Sequence, residues 1–278
     1  MINNIKIIPC SNAIGAIIEG VKLNEKLQQE TINIIYDTFL KYQVIFFRNQ
    51  HLTEVEYLSF AKKIGKPIMY PFVKGLKKYP EITPILKKET DLNNFGGIWH
   101  SDTSYLKKPP KGTMLYALEV PENGGDTEFS NQYLAYDHLS KDMKIFLDNK
   151  KALNISGKEE TAKTRSDLRK HSSTQVKSDD HEAEHPVVRT HPETKRKSLY
   201  INIAHTKCFT DMSVEESAPI LDSLFKHQIK SDFIYRFKWE KGSIAIWDNR
   251  CILHNPINDY YGKRRLMHRI TFEGDTPI

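Results

Sequence analysis

The sequence predicts an α+β chain built on an antiparallel sheet system, such as a jelly roll with flanking helices. Three observations carry this reading. Helical patterns come early, strand patterns crowd the stretch from residue 233 to 272, and one helix is inserted among the later strands. The 278 residues fit one large domain or two small ones, and all-β barrels often reach this size as one unit.

Taken in order, residues 5–8 and 16–18 read as short strands. Residues 24–42 read as a helix with Asn24 as N-cap, and Leu27, Ile34, Ile35 and Phe39 fall near helical spacing. The compact run 44–47 reads as a buried strand. Thr53 with Glu56 three residues on forms a capping-box pattern, opening a helix to about Ile64 before Gly65. Residues 66–97 read as a loop, and one this long inside a compact domain is usually functional or mobile. Strand character returns at 113–120 and 127–129, followed by a helix over 132–148. Residues 157–184 are nearly all polar, with Ala162, Leu168, Val176 and Ala183 as the exceptions. They read as a flexible insert or lid, and their His171, His181, Arg165, Arg169 and Lys170 as solvated charge. Two strands flank the turn HPETKR, and Ser213 with Glu216 caps a helix over 213–229. Strands at 233–239, 243–247 and 266–272 finish the chain.

The net charge of +6 is spread along the chain and mixed with 35 acidic residues, and no nucleic-acid-binding pattern stands out. Cys10, Cys208 and Cys251 are odd in number and without CxxC spacing, which argues against a disulfide framework or structural zinc and for a reducing cytoplasm. No signal peptide and no membrane span is expected.

The chemistry lies in two clusters. His100-Ser101-Asp102 is a His-x-Asp, and in an extended segment residues i and i+2 share a face, so both can reach one metal. Two histidines and a carboxylate with open positions left over suit Fe(II) in an oxygenase. Alone the tripeptide is weak. His254, in the second cluster WDNRCILH, can complete the triad, because a jelly roll brings distant strands to one mouth. Arg265 and Arg269 follow on one strand face with Met267 between them. A keto acid chelating iron leaves its far carboxylate deeper in a barrel, where a guanidinium is a natural bidentate partner. His268, on the other face, reads as a packed strand histidine rather than a base.

The blocks WHSDTSY at 99–105, NGGDTEFSN at 123–131 and WDNRCILHNPINDYYGKRRLMHRITFEGD at 247–275 resemble the TauD/TfdA family of Fe(II)/2-oxoglutarate dioxygenases. Three separated motifs stand in the family's order, and the likeness touches most of the chain. The resemblance implies one dioxygenase domain over residues 1–278, folded as a double-stranded β-helix, a form of jelly roll. It implies that His100, Asp102 and His254 bind iron and that Thr127 and Arg265 hold the far carboxylate of 2-oxoglutarate. Arg269 then lies on the substrate side, and a homo-oligomer, dimer or tetramer, is expected.

The substrate is less legible. Tyr70 stands where taurine-specific members have a sulfonate-binding histidine, Gly96 where they have a pocket asparagine, and His205 near a pocket aromatic. Arg269 and the Tyr70 phenol can still meet an anion, and Gly96 is expected to widen the pocket. A small organic acid or sulfonate is therefore favoured, with taurine, an alkyl sulfate, a phenoxyalkanoate or an amino-acid-like anion all open. Of Tyr70, Phe72, Phe95, Tyr105 and Phe209, two are expected to touch substrate. The rival classes are a non-catalytic jelly roll and a zinc hydrolase using the same triad. The first predicts damage to the triad, and the second leaves Thr127 and Arg265 without a purpose.

Overall fold

A computed structural model describes residues 4–171 and 181–278. Strands β1 (Lys6–Pro9) and β2 (Ala16–Glu19) form a hairpin, followed by α1 (Gln29–Tyr42), β3 (Val44–Phe47), α2 (Glu54–Ile64), β4 (Pro67–Ile68) and β5 (Thr83–Lys87). Next come β6 (Gly112–Glu119), β7 (Thr127–Asn131), α3 (Gln132–Asp137), α4 (Lys141–Leu147), β8 (Lys151–Ile155) and α5 (Glu159–His171). Then follow β9 (Glu182–Pro186), β10 (Val188–Thr190), β11 (Lys197–Leu199), β12 (Thr206–Phe209) and α6 (Val214–Gln228). The chain ends in β13 (Ile234–Phe237), β14 (Ile244–Asp248), β15 (Ile252–Pro256) and β16 (Arg265–Phe272).

Among the described residues the major sheet runs β1-β2-β3-β14-β6-β16-β4, with β5 also on β16, and a minor sheet runs β13-β7-β15. Of these pairings only β2–β3 is parallel. The two sheets face each other as a jelly roll, with α1 and α2 on the outer face of the major sheet.

The period of two along each strand assigns its side chains. On β6, Leu115 and Ala117 face the inter-sheet core, whereas Met114 and Tyr116 face the outer helices. On β3, Val44 and Phe46 face inward, and Ile45 and Phe47 outward. Both faces are covered, so the run VIFF needs no polar alternation. Between the sheets Phe46 stacks on Phe237 at 3.9 Å between centroids and meets Phe129 edge-on at 5.7 Å. Truncating one such ring to Ala costs about 3–5 kcal/mol. Helices α1 and α2 cover the outer face through Ile35, Phe39, Tyr57 and Phe60. A third cluster joins α6 to β12 and β8 through Leu221, Leu224, Phe209 and Ala152.

Both capping boxes form: the Thr53 and Ser213 hydroxyls accept from the amides of Glu56 and Glu216, whose carboxylates accept from the cap amides. Other expectations need correction. Helix α1 starts at Gln29 rather than after Asn24, because the Leu23 amide donates to Gln50 Oε1 and its side chain is buried. The helix over 132–148 breaks into α3 and α4, where the Ser140 hydroxyl accepts from the Met143 amide and restarts it. The stretch 66–97 is not all loop: β5 adds to the sheet edge, where Pro84 is tolerated. Strand β8 was not anticipated.

The largest correction concerns 157–184. Residues 159–171 are helical, and β9 begins at Glu182. Helix α5 docks through polar anchors as well as Leu168. The Thr161 hydroxyl donates to the Ala204 carbonyl at 2.6 Å, and Asp167 accepts from the Leu92 and Asn93 amides. The remainder of the expected lid, 172–180, and the side chains of Arg169, Lys170 and His171 lie outside the described residues.

Candidate metal centre

The expected triad converges. His100, Asp102 and His254 each offer a ligand atom, and these atoms lie within 4.8 Å of one another in a buried pocket. Asp102 Oδ1 is 3.7 Å from His100 Nε2 and 3.9 Å from His254 Nε2. His254 comes from β15. His100 makes only an isolated antiparallel bridge to it, and Asp102 lies beyond in a turn. The His-x-Asp is therefore not a strand, contrary to the sequence reading, and other groups hold Asp102 in place.

Those groups form a chain of hydrogen bonds. Trp247 Nε1 donates to Asn249 Oδ1 at 3.0 Å, and Asn249 Nδ2 donates to the Thr113 hydroxyl at 3.3 Å. Thr113 in turn donates to Asp102 Oδ2 at 2.7 Å, leaving Oδ1 to face the histidines. The Ser101 hydroxyl donates to the Asn249 carbonyl. His100 Nδ1 lies 2.6 Å from the Ile98 carbonyl, which can only accept. The proton is thus on Nδ1, and the Nε2 lone pair faces the centre. Burial, the main cause, pushes the pKa of both histidines down, so their neutral, ligating form prevails. Burial acts to raise the Asp102 carboxyl, but Arg269 and the two histidines hold it well below the usual carboxylate range. An ionised carboxylate beside two neutral imidazoles is a donor set that fits ferrous iron.

An inner cavity opens on the triad and is lined by Thr127, Trp247, Arg265 and Arg269 among others. Arg265, 6% exposed, has Nε and Nη2 without hydrogen-bond partners and no carboxylate within ion-pairing distance among the described residues. Burial pulls its pKa down, with Tyr260 opposing. Trp239 Nε1 donates to the Thr127 hydroxyl at 2.9 Å, so the hydroxyl proton of Thr127 remains for another acceptor. A buried cation and a spare hydroxyl together lack an anion, and the far carboxylate of 2-oxoglutarate fits that need. Arg269 Nη2 lies 2.9 Å from Asp102 Oδ1, close enough to pair but not aligned as a hydrogen bond. Its guanidinium rests over the Tyr70 ring at 4.7 Å. His268 is on the opposite strand face, as expected; its carbonyl accepts from the Tyr57 hydroxyl.

An outer cavity shares His100 and Phe95 with the inner one and is also bounded by Tyr70, Asp102, Arg165 and His205. Of the five aromatics singled out from the sequence, only Tyr70 and Phe95 line either cavity. Phe72 and Tyr105 pack together at 5.8 Å, and Phe209 belongs to the α6 cluster. Gly96 lines the outer cavity. Its φ is +77°, and a Cβ there would lie 2.9 Å from His100 Cε1, so the close approach to the imidazole also requires glycine. Arg165, read from the sequence as solvated charge, is 8% exposed and faces this cavity. Local composition gave no signal for that placement, because it depends on where α5 docks.

His191, Asp248 and Cys251 also cluster. The Glu193 and Thr194 amides donate to His191 Nδ1, so Nε2 carries the proton and donates to Asp248 Oδ2 at 3.0 Å. Asp248 also accepts from Arg250 Nε and Nη2 at 2.8 and 2.7 Å, and Arg250 reaches Glu193. Burial pushes the Cys251 thiol well up. Both imidazole nitrogens are engaged, and the group ties the HPETKR turn to the WDNR segment rather than holding a metal.

Comparisons with known proteins agree with this geometry. Residues 6–271 match the family described as taurine catabolism dioxygenase TauD, TfdA family. The chain is 32% identical to the alkylsulfatase of Acinetobacter baylyi, over 94% of this chain and 83% of that protein. It is 31% identical to the alpha-ketoglutarate-dependent sulfate ester dioxygenase of Pseudomonas putida, over 97% and 90%. Its structure resembles that of a taurine dioxygenase from Burkholderia xenovorans with a TM-score of 0.84 and 32% identity, covering 99% of this chain and 93% of the other.

Proposed function

Because this chain belongs to the TauD/TfdA family and is an Fe(II)- and 2-oxoglutarate-dependent dioxygenase of small anionic substrates, we propose that it oxidises an alkyl sulfonate or an alkyl sulfate ester. The observation that carries the co-substrate assignment is the Arg265 guanidinium, whose Nε and Nη2 lack hydrogen-bond partners, at the wall of a cavity that His100 and His254 also line. With iron and 2-oxoglutarate bound, the chemistry supplied is oxidation of the keto acid to succinate and CO₂, coupled to hydroxylation of a substrate C–H.

The protein's own contribution is placement and exclusion of water. His100, Asp102 and His254 are the iron ligands in this reading. Arg265 and Thr127 hold the far carboxylate, fixing the keto acid in the inner cavity. Arg269 and Tyr70, stacked on each other, hold the substrate anion, and Gly96 lets the substrate lie close to His100. Phe95 and Trp247 keep the walls apolar. Hydroxylation next to the heteroatom then releases sulfite from a sulfonate or sulfate from an ester. The sulfate ester and taurine relatives favour these substrates over a phenoxyalkanoate. The whole chain is taken as one domain. Three free thiols are compatible with a cytoplasmic setting, and among the described residues no helix is long and apolar enough to cross a membrane. A homo-oligomer is expected from the family.

Anaerobic protein mixed with Fe(II) and 2-oxoglutarate should show the weak visible charge-transfer band of a chelated keto acid, lost in His100→Ala and weakened in Arg265→Ala. Folded, iron-loaded protein without that band would return the zinc-binding or non-catalytic reading to the front.

A further inference from the structure

The outer cavity contains a cation that the proposed chemistry does not use. Arg165 comes from α5, and its guanidinium lies over the Tyr105 ring at 5.5 Å. Its hydrogen bond, from Nη1 to the Ser156 carbonyl, is long at 3.4 Å. Among the residues whose side chains are described, no carboxylate lies within 4 Å of it. The nearby acidic residue of the same helix, Asp167, is turned to the Leu92 and Asn93 amides.

One further polar atom beside Arg165 is buried without a partner. His205, 1% exposed and lining the same cavity, has an unbonded Nδ1. Buried polar groups are nearly always satisfied, so a guanidinium with one long hydrogen bond and no carboxylate partner, beside the unbonded His205 Nδ1, marks a place where a ligand completes the bonding. Tyr70 lines the outer cavity with Arg165 and carries the Arg269 guanidinium against its ring, and Arg269 lines the inner cavity, which shares His100 and Phe95 with the outer one.

Resting on the sulfonate reading above, we infer that Arg165, with His205, forms a second anion subsite, and that the preferred substrate is a short dianion with a sulfonate or sulfate ester at one end and a carboxylate at the other. The sulfo group sits toward Arg269 and Tyr70, which places the adjacent CH₂ before the triad. The carboxylate meets Arg165, and His205 donates a hydrogen bond to it. For a sulfonate, one oxygen atom of O₂ enters succinate and the other becomes the hydroxyl on that carbon. The C–S bond then breaks, the hydroxyl loses its proton to form an aldehyde, and sulfite leaves with the C–S electron pair. Taurine presents an ammonium where Arg165 demands an anion, and like charges there repel.

Three sulfonates of similar length test this: 3-sulfopropanoate, 1-butanesulfonate and 3-aminopropanesulfonate, ending in a carboxylate, a methyl and an ammonium. Binding is measured by anaerobic calorimetry on protein holding Fe(II) and 2-oxoglutarate. The expected order is carboxylate, then methyl, then ammonium, with the first step at least about 30-fold, the ratio a buried charge partner sustains. Arg165→Gln should erase the preference for the carboxylate, and Arg165→Lys should keep most of it. His205→Phe should lower it without reversing the order. A wild type that binds all three equally, or an Arg165→Gln that weakens all three in proportion, overturns the subsite. Should Arg165→Gln fail to fold, the wild-type order and the Lys and Phe variants still decide. Sulfite and succinate release reads the sulfonate chemistry separately. Tight binding of 3-sulfopropanoate without sulfite would overturn that chemistry and leave the subsite standing.

Discussion

His100 and His254 hold each other by both backbone hydrogen bonds: the His100 amide donates to the His254 carbonyl at 3.0 Å, and the His254 amide returns the bond at 2.9 Å. This single bridge brings the early His-x-Asp segment to β15 and sets the two imidazoles 4.1 Å apart, centroid to centroid. The geometry of the centre therefore rests on one pair of main-chain bonds and on the groups that fix Asp102.

Thr113→Val and Asn249→Ala remove links of the chain that orients Asp102 while leaving all three ligands in place. Each is expected to weaken iron binding by about 10- to 100-fold, as loss of an outer partner typically does. Asp102→Ala should cost more than either. Metal content after dialysis against graded chelator measures this, and unchanged affinity in Thr113→Val would remove the positioning role.

Arg265→Ala deletes a buried cation that lacks a counter-ion. Without 2-oxoglutarate the variant should be no less heat-stable than the parent, because an uncompensated charge has gone. Saturating 2-oxoglutarate should raise the melting temperature of the parent, since ligand at 100 times Kd contributes about 2.7 kcal/mol. The variant should not respond. Thermal scans with and without the keto acid separate these cases, and equal shifts in both proteins would contradict the assignment.

Asp248 gives a pH signature. Burial acts to raise its pKa, but Arg250 and His191 hold it well below the usual range. A depressed carboxylate contributes stability that is complete above the unfolded pKa of about 3.9 and is lost as pH falls toward the folded value. Asp248→Asn should thus be destabilised near neutral pH by about 3–5 kcal/mol, the cost of breaking a buried pair. The gap to the parent should narrow in acid below about pH 4. Urea titrations at several pH values provide the comparison; a gap independent of pH would point to packing rather than charge.

Thr53→Ala and Ser213→Ala each remove the accepting half of a capping box on a helix outside the barrel. Each should cost about 1 kcal/mol in urea unfolding with kcat and KM unchanged. A change in turnover would mean that α2 or α6 is coupled to the cavities.

Much of this was readable in the sequence because it depends on short-range pattern. The capping boxes, the buried run of β3, the shared face of Arg265 and Arg269, and the outward turn of His268 follow from fixed spacings of three or two residues. The grouping of His100, Asp102 and His254 was legible because few side chains suit ferrous iron and three motifs stood in order. The misses share a cause. Strand β5 was hidden by Pro84 and makes sense only beside β16. The α3–α4 break turned on one serine hydroxyl, and α5 looked like polar surface because its anchors are partly hydrogen bonds to distant backbone.

By itself, then, the sequence determined which residues can ligate, which faces are apolar and where two helices begin, since these are properties of neighbouring residues. Only the tertiary structure decided that His100 bridges to His254, that Thr113 aims Asp102, that Gly96 must lie against an imidazole, and that Arg165 is buried over Tyr105 instead of solvated. Those outcomes depend on contacts between segments far apart in the chain, where the cost of closing long loops is met by the whole core and leaves no local trace.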